Sequence, residues 1–323
     1  MRLRTILTSA AAAALTLSLA ACGSASQDQS TAAGSSQAAD GKEAQSSTAE
    51  SSAPAASEVE KAEDAAASGD AVTVKLGVVG AIYEDLWTPA QEKLKGEGIN
   101  LEFVQFSDYV TPNNALANGE IDLNAFQHRV YLENEVKDYG YKIENIGNTF
   151  IIPLNLYSQK VKSVDELKDG DTVAIPDDVT NGGRALKVLE AAGLIKLKDD
   201  ANFNPTLDDI ESYTKQIKIE ELKANTIPSA LADVTAAVVN GNYALDFGLK
   251  TEEAIFKDTV LDQKEYWNLI AARTEDLSDP AKLETYKKVV KAFQSPETEK
   301  VFNDDFGGYF IAVGWDEDLL ADK

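Results

Sequence analysis

Every aromatic side chain of this sequence, 3 Trp, 11 Tyr and 11 Phe, lies between Val72 and Lys323, and none lies in the first 71 residues. A packed core needs large apolar side chains, so folding is confined to the C-terminal portion, about 250 residues, enough for two lobes or one large domain. Residues 23–71 consist mainly of Ser, Ala, Gln, Asp and Glu, with Val59 as their only large aliphatic residue. Such a segment buries too little apolar surface to offset its ordering entropy, so it is expected to be a disordered tether. A flexible chain of that length has an end-to-end distance of roughly 40 Å. Its Ala/Glu-rich part, Glu58–Ala67, is expected to form helix transiently.

The N-terminus reads as an export signal. Arg2 and Arg4 give a positive start, Thr5–Leu19 is an apolar run, and small residues precede Cys22. The run is too short to remain as a membrane-spanning helix. Cys22 is the single cysteine, and the string L-A-A-C-G around it resembles the bacterial lipobox, in which the thiol is lipidated and the peptide is cut just before it. The competing reading is an ordinary secretory signal with a chance cysteine. Lipidation accounts for one thiol rather than a pair in an exported chain. The expected organisation is therefore a lipoprotein signal at 1–22, a tether at 23–71 and a folded region at 72–323, without disulfides.

The net charge of −24 argues against nucleic acid as a partner, because phosphate contacts need a basic face. His128 is the only histidine, which excludes a multi-His metal site, and the folded region has no cysteine for a zinc site. There is no G-x-S-x-G elbow, H-E-x-x-H pair or P-loop. The carboxylate pairs Asp177-Asp178, Asp208-Asp209 and Asp304-Asp305 stand in polar, turn-like contexts that suit solvation. The sequence thus predicts no enzyme and no cofactor.

Apolar periodicity in 72–323 alternates between short strands and helices. Strands are predicted at Val72–Val79, Leu101–Phe106, Ile121–Phe126, Phe150–Tyr157, Thr172–Ile175, Gln216–Ile219 and Ala236–Val239. Helices are predicted at Tyr83–Gly96, after an N-cap at Thr111 with Pro112 first in the helix and Gly119 past its end, and at Val130–Asp138. Two terminal helices are predicted at Pro280–Gln294 and Pro296–Phe306; the first carries Leu283, Tyr286, Val289, Val290 and Phe293 on one face. The alternation implies right-handed βαβ units on a mostly parallel sheet, hence an α/β fold.

Ligands of open α/β sheets sit beyond the carboxyl ends of strands, and three such ends carry polar chemistry. At the first, Asn124 and Phe126 share a face and the chain runs into Gln127 and His128, as in a pocket wall; a core Phe beside a capping His fits equally. At the second, Pro176–Leu186, Thr180 or Asn181 is the expected N-cap and the Gly182-Gly183 pair permits close backbone approach. Arg184 is then expected in the first helical turn, where the dipole disfavours a cation. An anionic ligand held bidentately would resolve the conflict, as would pairing with Asp177 or Asp178. The third, Asn240-Gly241-Asn242 after Val239, reads as a ligand-facing strand end or as a simple turn.

The strings D-Y-V-T-P-N-N-A-L-A-N-G-E-I-D-L-N-A-F-Q-H (Asp108–His128), P-D-D-V-T-N-G-G-R-A-L (Pro176–Leu186) and A-A-V-V-N-G-N-Y (Ala236–Tyr243), with the lipobox, resemble the NlpA family of methionine-binding lipoproteins of ABC importers. The resemblance runs from Val72 to the C-terminus. It implies a two-lobed, type II-like periplasmic-binding-protein fold that closes over one amino acid in the cleft. It implies Tyr109, Phe126 and His128 around the ligand side chain, Arg184 on its carboxylate and Asn240 on its backbone, with Asn113, Asn124, Tyr131 and Asn181 in support. Aromatic rings suit a thioether, and Arg with amides suits a zwitterion. The implied partners are L-methionine or a similar amino acid, a membrane permease with its ATPase, and the membrane itself through Cys22. The implied state is a monomer on the extracytoplasmic face of the cell membrane.

The sequence departs from the family at one loop. Where members often carry a Gly-Pro-His-type turn, this chain reads Gly80-Ala81-Ile82-Tyr83-Glu84-Asp85-Leu86-Trp87, which leaves Tyr83 in the place of that His and Trp87 as a core residue. D-methionine, a methionine-containing dipeptide and another amino acid therefore stand beside L-methionine. An adhesin or scaffold that uses anchor and tether without a small ligand is the alternative from another class.

Overall fold

The computed structural model describes residues 71–323. The expected signal, the Cys22 lipidation site, the tether before Ala71 and the transient helix at Glu58–Ala67 lie outside the described residues.

The chain builds most of one lobe first: β1 (Val72–Val79), α1 (Ile82–Gly96), β2 (Ile99–Phe106), α2 (Thr111–Ala117), β3 (Leu123–Asn124), α3 (Arg129–Tyr139) and β4 (Ile143–Asn148). It crosses through β5 (Phe150–Ile151) to β6 (Asn155–Tyr157). The second lobe follows with β7 (Thr172–Pro176), α4 (Val179–Ala191), β8 (Ile195–Leu197), β9 (Ile210–Tyr213), β10 (Lys218–Leu222), α5 (Ile227–Ala230), β11 (Ala236–Val239), α6 (Gly241–Asp246) and β12 (Ala254–Phe256). The chain then returns to the first lobe as β13 (Leu269–Arg273), α7 (Pro280–Phe293), α8 (Pro296–Asp304) and β14 (Ile311–Ala312), the last pairing with β5.

Each lobe is centred on one five-stranded sheet, in the orders β2-β1-β3-β13-β4 and β10-β7-β11-β6-β12. Both sheets are mostly parallel by strand direction, as expected. Four strands of each sheet run in one direction, and one opposes them: β13 is antiparallel to β3 and β4, and β6 is antiparallel to β11 and β12. The reason is the double crossing: β4 leads out of the first lobe where β13 returns, and β6 enters the second lobe where β12 leaves it.

Several predicted boundaries move for local reasons. The run Phe150–Tyr157 breaks into β5 and β6 around Pro153, which has no N–H for a ladder. Only Leu123–Asn124 of the predicted Ile121–Phe126 strand forms a ladder, because the chain beyond turns to present Phe126, Gln127 and His128. Thr111 is the first residue of α2 rather than its cap. Val110 takes the cap position without a side-chain bond, and Asp108 just before it accepts from the N–H groups of Val110 (2.8 Å) and Thr111 (2.9 Å). The predicted Gln216–Ile219 strand shifts to Lys218–Leu222.

The first core forms between α1, the sheet and the C-terminal helices. α1 buries Tyr83, Leu86, Trp87, Ala90 and Leu94 at helical spacing. Trp87 is fully buried, with its ring 4.3 Å from that of Phe293, so it is core as expected. On α7, Tyr286, Val289 and Phe293 are buried on the predicted face, while Val290 and Leu283 lie at its margin. The second lobe has its own core of Leu156, Val173, Ile175, Leu186, Leu189 and Val238. No described helix is long and apolar enough to cross a membrane.

Candidate ligand-binding site

Between the lobes lies a tight cavity of about 30 Å³. The first lobe contributes Tyr83, Tyr109, Phe126, Gln127, His128 and Tyr131 to its wall. The second contributes Asn181, Arg184, Asn240, Gly241 and Asn242, and the crossing segments contribute Ile152, Pro153, Leu154 and Asn268. Hydrogen bonds hold the lobes together over it: Tyr109 Oη to Asn242 Oδ1 (2.5 Å), Asn242 Nδ2 to the Val79 carbonyl (3.2 Å) and Tyr243 Oη to the Ser107 carbonyl (3.3 Å).

The polar wall follows from how α3, α4 and α6 begin. His128 caps α3, its Nδ1 accepting from the Tyr131 N–H at 3.2 Å. The proton therefore sits on Nε2, which donates to Asn181 Oδ1 at 3.3 Å. Burial and the neighbouring Arg184 charge press the imidazole pKa down from its ordinary 6.5 to about 3, so His128 is neutral here. The capping residue of α4 is Asp178, not Thr180 or Asn181. Its carboxylate accepts from the Asn181 N–H (2.9 Å) and side-chain amide and from the Thr180 hydroxyl (2.9 Å). That fixes the Asn181 amide with Oδ1 turned away from Asp178, and Asn240 Nδ2 donates to it at 2.9 Å. Asn240 is left with a buried Oδ1 that has no hydrogen-bond partner among the described residues.

Arg184 lies in the second turn of α4 rather than the first, so the expected conflict with the dipole is weaker. Its partner is neither Asp177 nor Asp178. Nη2 donates to Asp258 Oδ2 at 2.6 Å and to the Ile152 carbonyl at 2.9 Å, and both side chains of the ion pair are buried. With both Nη2 hydrogens committed, the expected bidentate grip on a ligand carboxylate is not available, because both forks of a guanidinium use Nη2; Nη1 and Nε remain as separate donors. Nε is buried and has no partner.

The opposite wall is aromatic. The ring of Tyr109 lies 5.9 Å from Phe126, 6.2 Å from Tyr131 and 4.9 Å from Tyr243. Tyr131 Oη donates to the Tyr109 carbonyl at 3.0 Å, and Tyr83 Oη to the Phe126 carbonyl at 3.4 Å.

Of the nine candidate residues from the sequence, Tyr109, Phe126, His128, Tyr131, Asn181, Arg184 and Asn240 line this one cavity. Asn113 and Asn124 do not line it. They form a buried amide network with Gln127, with Asn113 Nδ2 donating to Gln127 Oε1 (2.8 Å) and Asn124 Nδ2 to Asn113 Oδ1 (2.9 Å). The network fixes the orientation of Gln127, which does reach the wall. Sequence reasoning missed Ile152, Leu154, Asn268, Asp258 and Tyr266. Pro153 inside an apolar run was the one available signal for the first crossing; the second crossing has none.

The described residues hold no cluster of three or more metal-ligating side chains. Residues 74–314 match the family model described as NlpA lipoprotein. The chain belongs to the NlpA lipoprotein family. The family match spans both lobes and every residue of the cavity wall. Among curated relatives, the chain is similar to the D-methionine-binding lipoprotein MetQ of Escherichia coli K12, at 43% identity over 246 residues, 75% of this chain and 88% of that one. Among solved structures it resembles a nutrient-binding protein from Burkholderia cenocepacia bound to methionine, with 41% identity, a TM-score of 0.69 and coverage of 75% of this chain and 100% of that one. It also resembles the substrate-binding protein of a methionine transporter from Streptococcus pneumoniae, with 36% identity, a TM-score of 0.71 and coverage of 75% and 96%.

Proposed function

We propose that this chain is a membrane-tethered, non-enzymatic binding protein that captures methionine and delivers it to the permease and ATPase of an ABC importer. The carrying observation is the pair of unpartnered buried atoms on one cavity wall, the Arg184 Nε donor and the Asn240 Oδ1 acceptor. A zwitterionic amino acid offers a carboxylate to the first and an ammonium to the second, and each unpaired group costs about 1–3 kcal/mol if left without a partner. The Tyr109, Phe126 and Tyr131 rings supply the polarisable surface that suits a thioether. The names of the similar proteins support the same ligand class. Lipidated Cys22 would anchor the chain on the extracytoplasmic face, and residues 23–71 would give the lobes reach.

Calorimetric titration tests this reading. The full chain is purified in detergent, stripped of ligand by partial unfolding and refolding, and titrated with L-methionine, D-methionine and a methionine-containing dipeptide. Tight one-to-one binding of L-methionine is expected, and preference for one of the other ligands would trace to the loop carrying Tyr83. Absence of binding to all three would refute the proposal and favour a scaffold role.

A further inference from the structure

Arg184 is held at a particular place in the fold. Its Nη2 bonds the Ile152 carbonyl on the outgoing crossing and Asp258 on the returning one. Asp258 in turn ties the two crossings together: Oδ2 accepts from the Leu154 N–H (3.0 Å), Oδ1 accepts from the Val260 N–H (2.7 Å), and its own N–H donates to Asn155 Oδ1 (2.9 Å). The fully buried ring of Tyr266, also on the returning segment, lies under the guanidinium with Cζ 4.7 Å from its centroid.

We propose that Asp258 is a positioning residue for ligand-carboxylate recognition. It fixes the Arg184 guanidinium at the pivot between the lobes by taking up Nη2, and Tyr266 supports the plane from its face, which leaves Nε–H and Nη1 for the ligand. Asp258 is not on the cavity wall; it acts through Arg184. An unclamped arginine would swing among rotamers, and geometric precision in a carboxylate contact is what its planar donor set supplies. The inference rests on the amino-acid reading of the site.

The test compares two ligands that differ only at the carboxylate, L-methionine and L-methioninamide, on the full chain in detergent. In Asp258→Asn, L-methionine affinity should fall about tenfold or more, because a buried charge pair is broken behind the contact. Methioninamide affinity should move less than about twofold, since no carboxylate is read. Equal losses for both ligands would mean that Asp258 only supports the fold, and unchanged methionine affinity would mean that Arg184 needs no clamp; either result overturns the proposal. If Asp258→Asn does not fold, Tyr266→Leu should show the same selective loss at about threefold, and its absence overturns the proposal equally. A wild-type chain that binds both ligands alike would instead refute carboxylate recognition by Arg184 itself, and with it the reading on which the clamp depends.

Discussion

Replacing Arg184 with methionine removes a buried cation and leaves its anion in place. The Asp258 side chain is fully buried, and the 2.6 Å bond to Arg184 is its only charge-compensating contact among the described residues. Breaking a buried pair by removing one partner costs about 3–5 kcal/mol. The two N–H bonds that Asp258 retains, from Leu154 and Val260, place the expected loss near the lower end, about 3 kcal/mol. For a folded region of this size that corresponds to a fall in melting temperature of about 6–12 °C. Urea denaturation at pH 7 without ligand measures it, in Arg184→Met, Asp258→Leu and the double variant. The double variant should be more stable than either single one, because two apolar side chains replace the pair without an orphaned charge. If the two single losses simply add to within about 0.5 kcal/mol, the pair is not energetically coupled and the account of Arg184 fails.

Four further outcomes follow from particular contacts. Tyr109→Phe deletes the 2.5 Å bond to Asn242 across the cleft and should weaken methionine binding about 3- to 10-fold, as read by calorimetry. Gly241→Ala places a Cβ 2.4 Å from Ile152 Cδ1 and 2.9 Å from the Pro153 carbonyl oxygen, so chemical denaturation should show a loss of about 1–3 kcal/mol. The folded chain resists protonation of His128 down to about pH 3 while an unfolded histidine protonates near 6.5. Stability from this group is therefore whole above 6.5 and declines as pH falls from there towards 3, and His128→Gln should flatten that part of the pH–stability curve. Cys22→Ser should move the protein from the membrane fraction to the soluble fraction and abolish incorporation of labelled fatty acid.

Local pattern carried the site further than it carried the sheets. His128, Asn181, Arg184 and Asn240 were legible because each stands where a strand gives way to a helix, and such junctions need residues that cap or turn. The errors arose where two side chains compete for the same duty. Asp178 caps α4 in place of Thr180 or Asn181, since its carboxylate, two residues before Thr180, accepts from the Asn181 N–H and also orients the Asn181 amide. The counterion of Arg184 was sought at Asp177 and Asp178 and found at Asp258, 74 residues away. No periodicity encodes that pairing; it exists because two crossings lie side by side between the lobes. The same double crossing makes β6 and β13 run against the other four strands of their sheets, an arrangement that individual βαβ units do not predict.

The cavity also bears on how binding drives closure. The lobes meet through hydrogen bonds that include those from Tyr109, Asn242, Tyr243 and His128, each worth a net of only about 1 kcal/mol because open lobes would bond to water instead. Against them stand the buried Arg184 Nε and Asn240 Oδ1 without partners, which together penalise the closed form by about 2–6 kcal/mol. A ligand that pairs both atoms removes the penalty only in the closed form, and a differential of about 2–6 kcal/mol shifts the equilibrium roughly 30- to 10⁴-fold. An amino acid lacking either charged group relieves one atom alone, and so should close the lobes incompletely even where its side chain fits the aromatic wall.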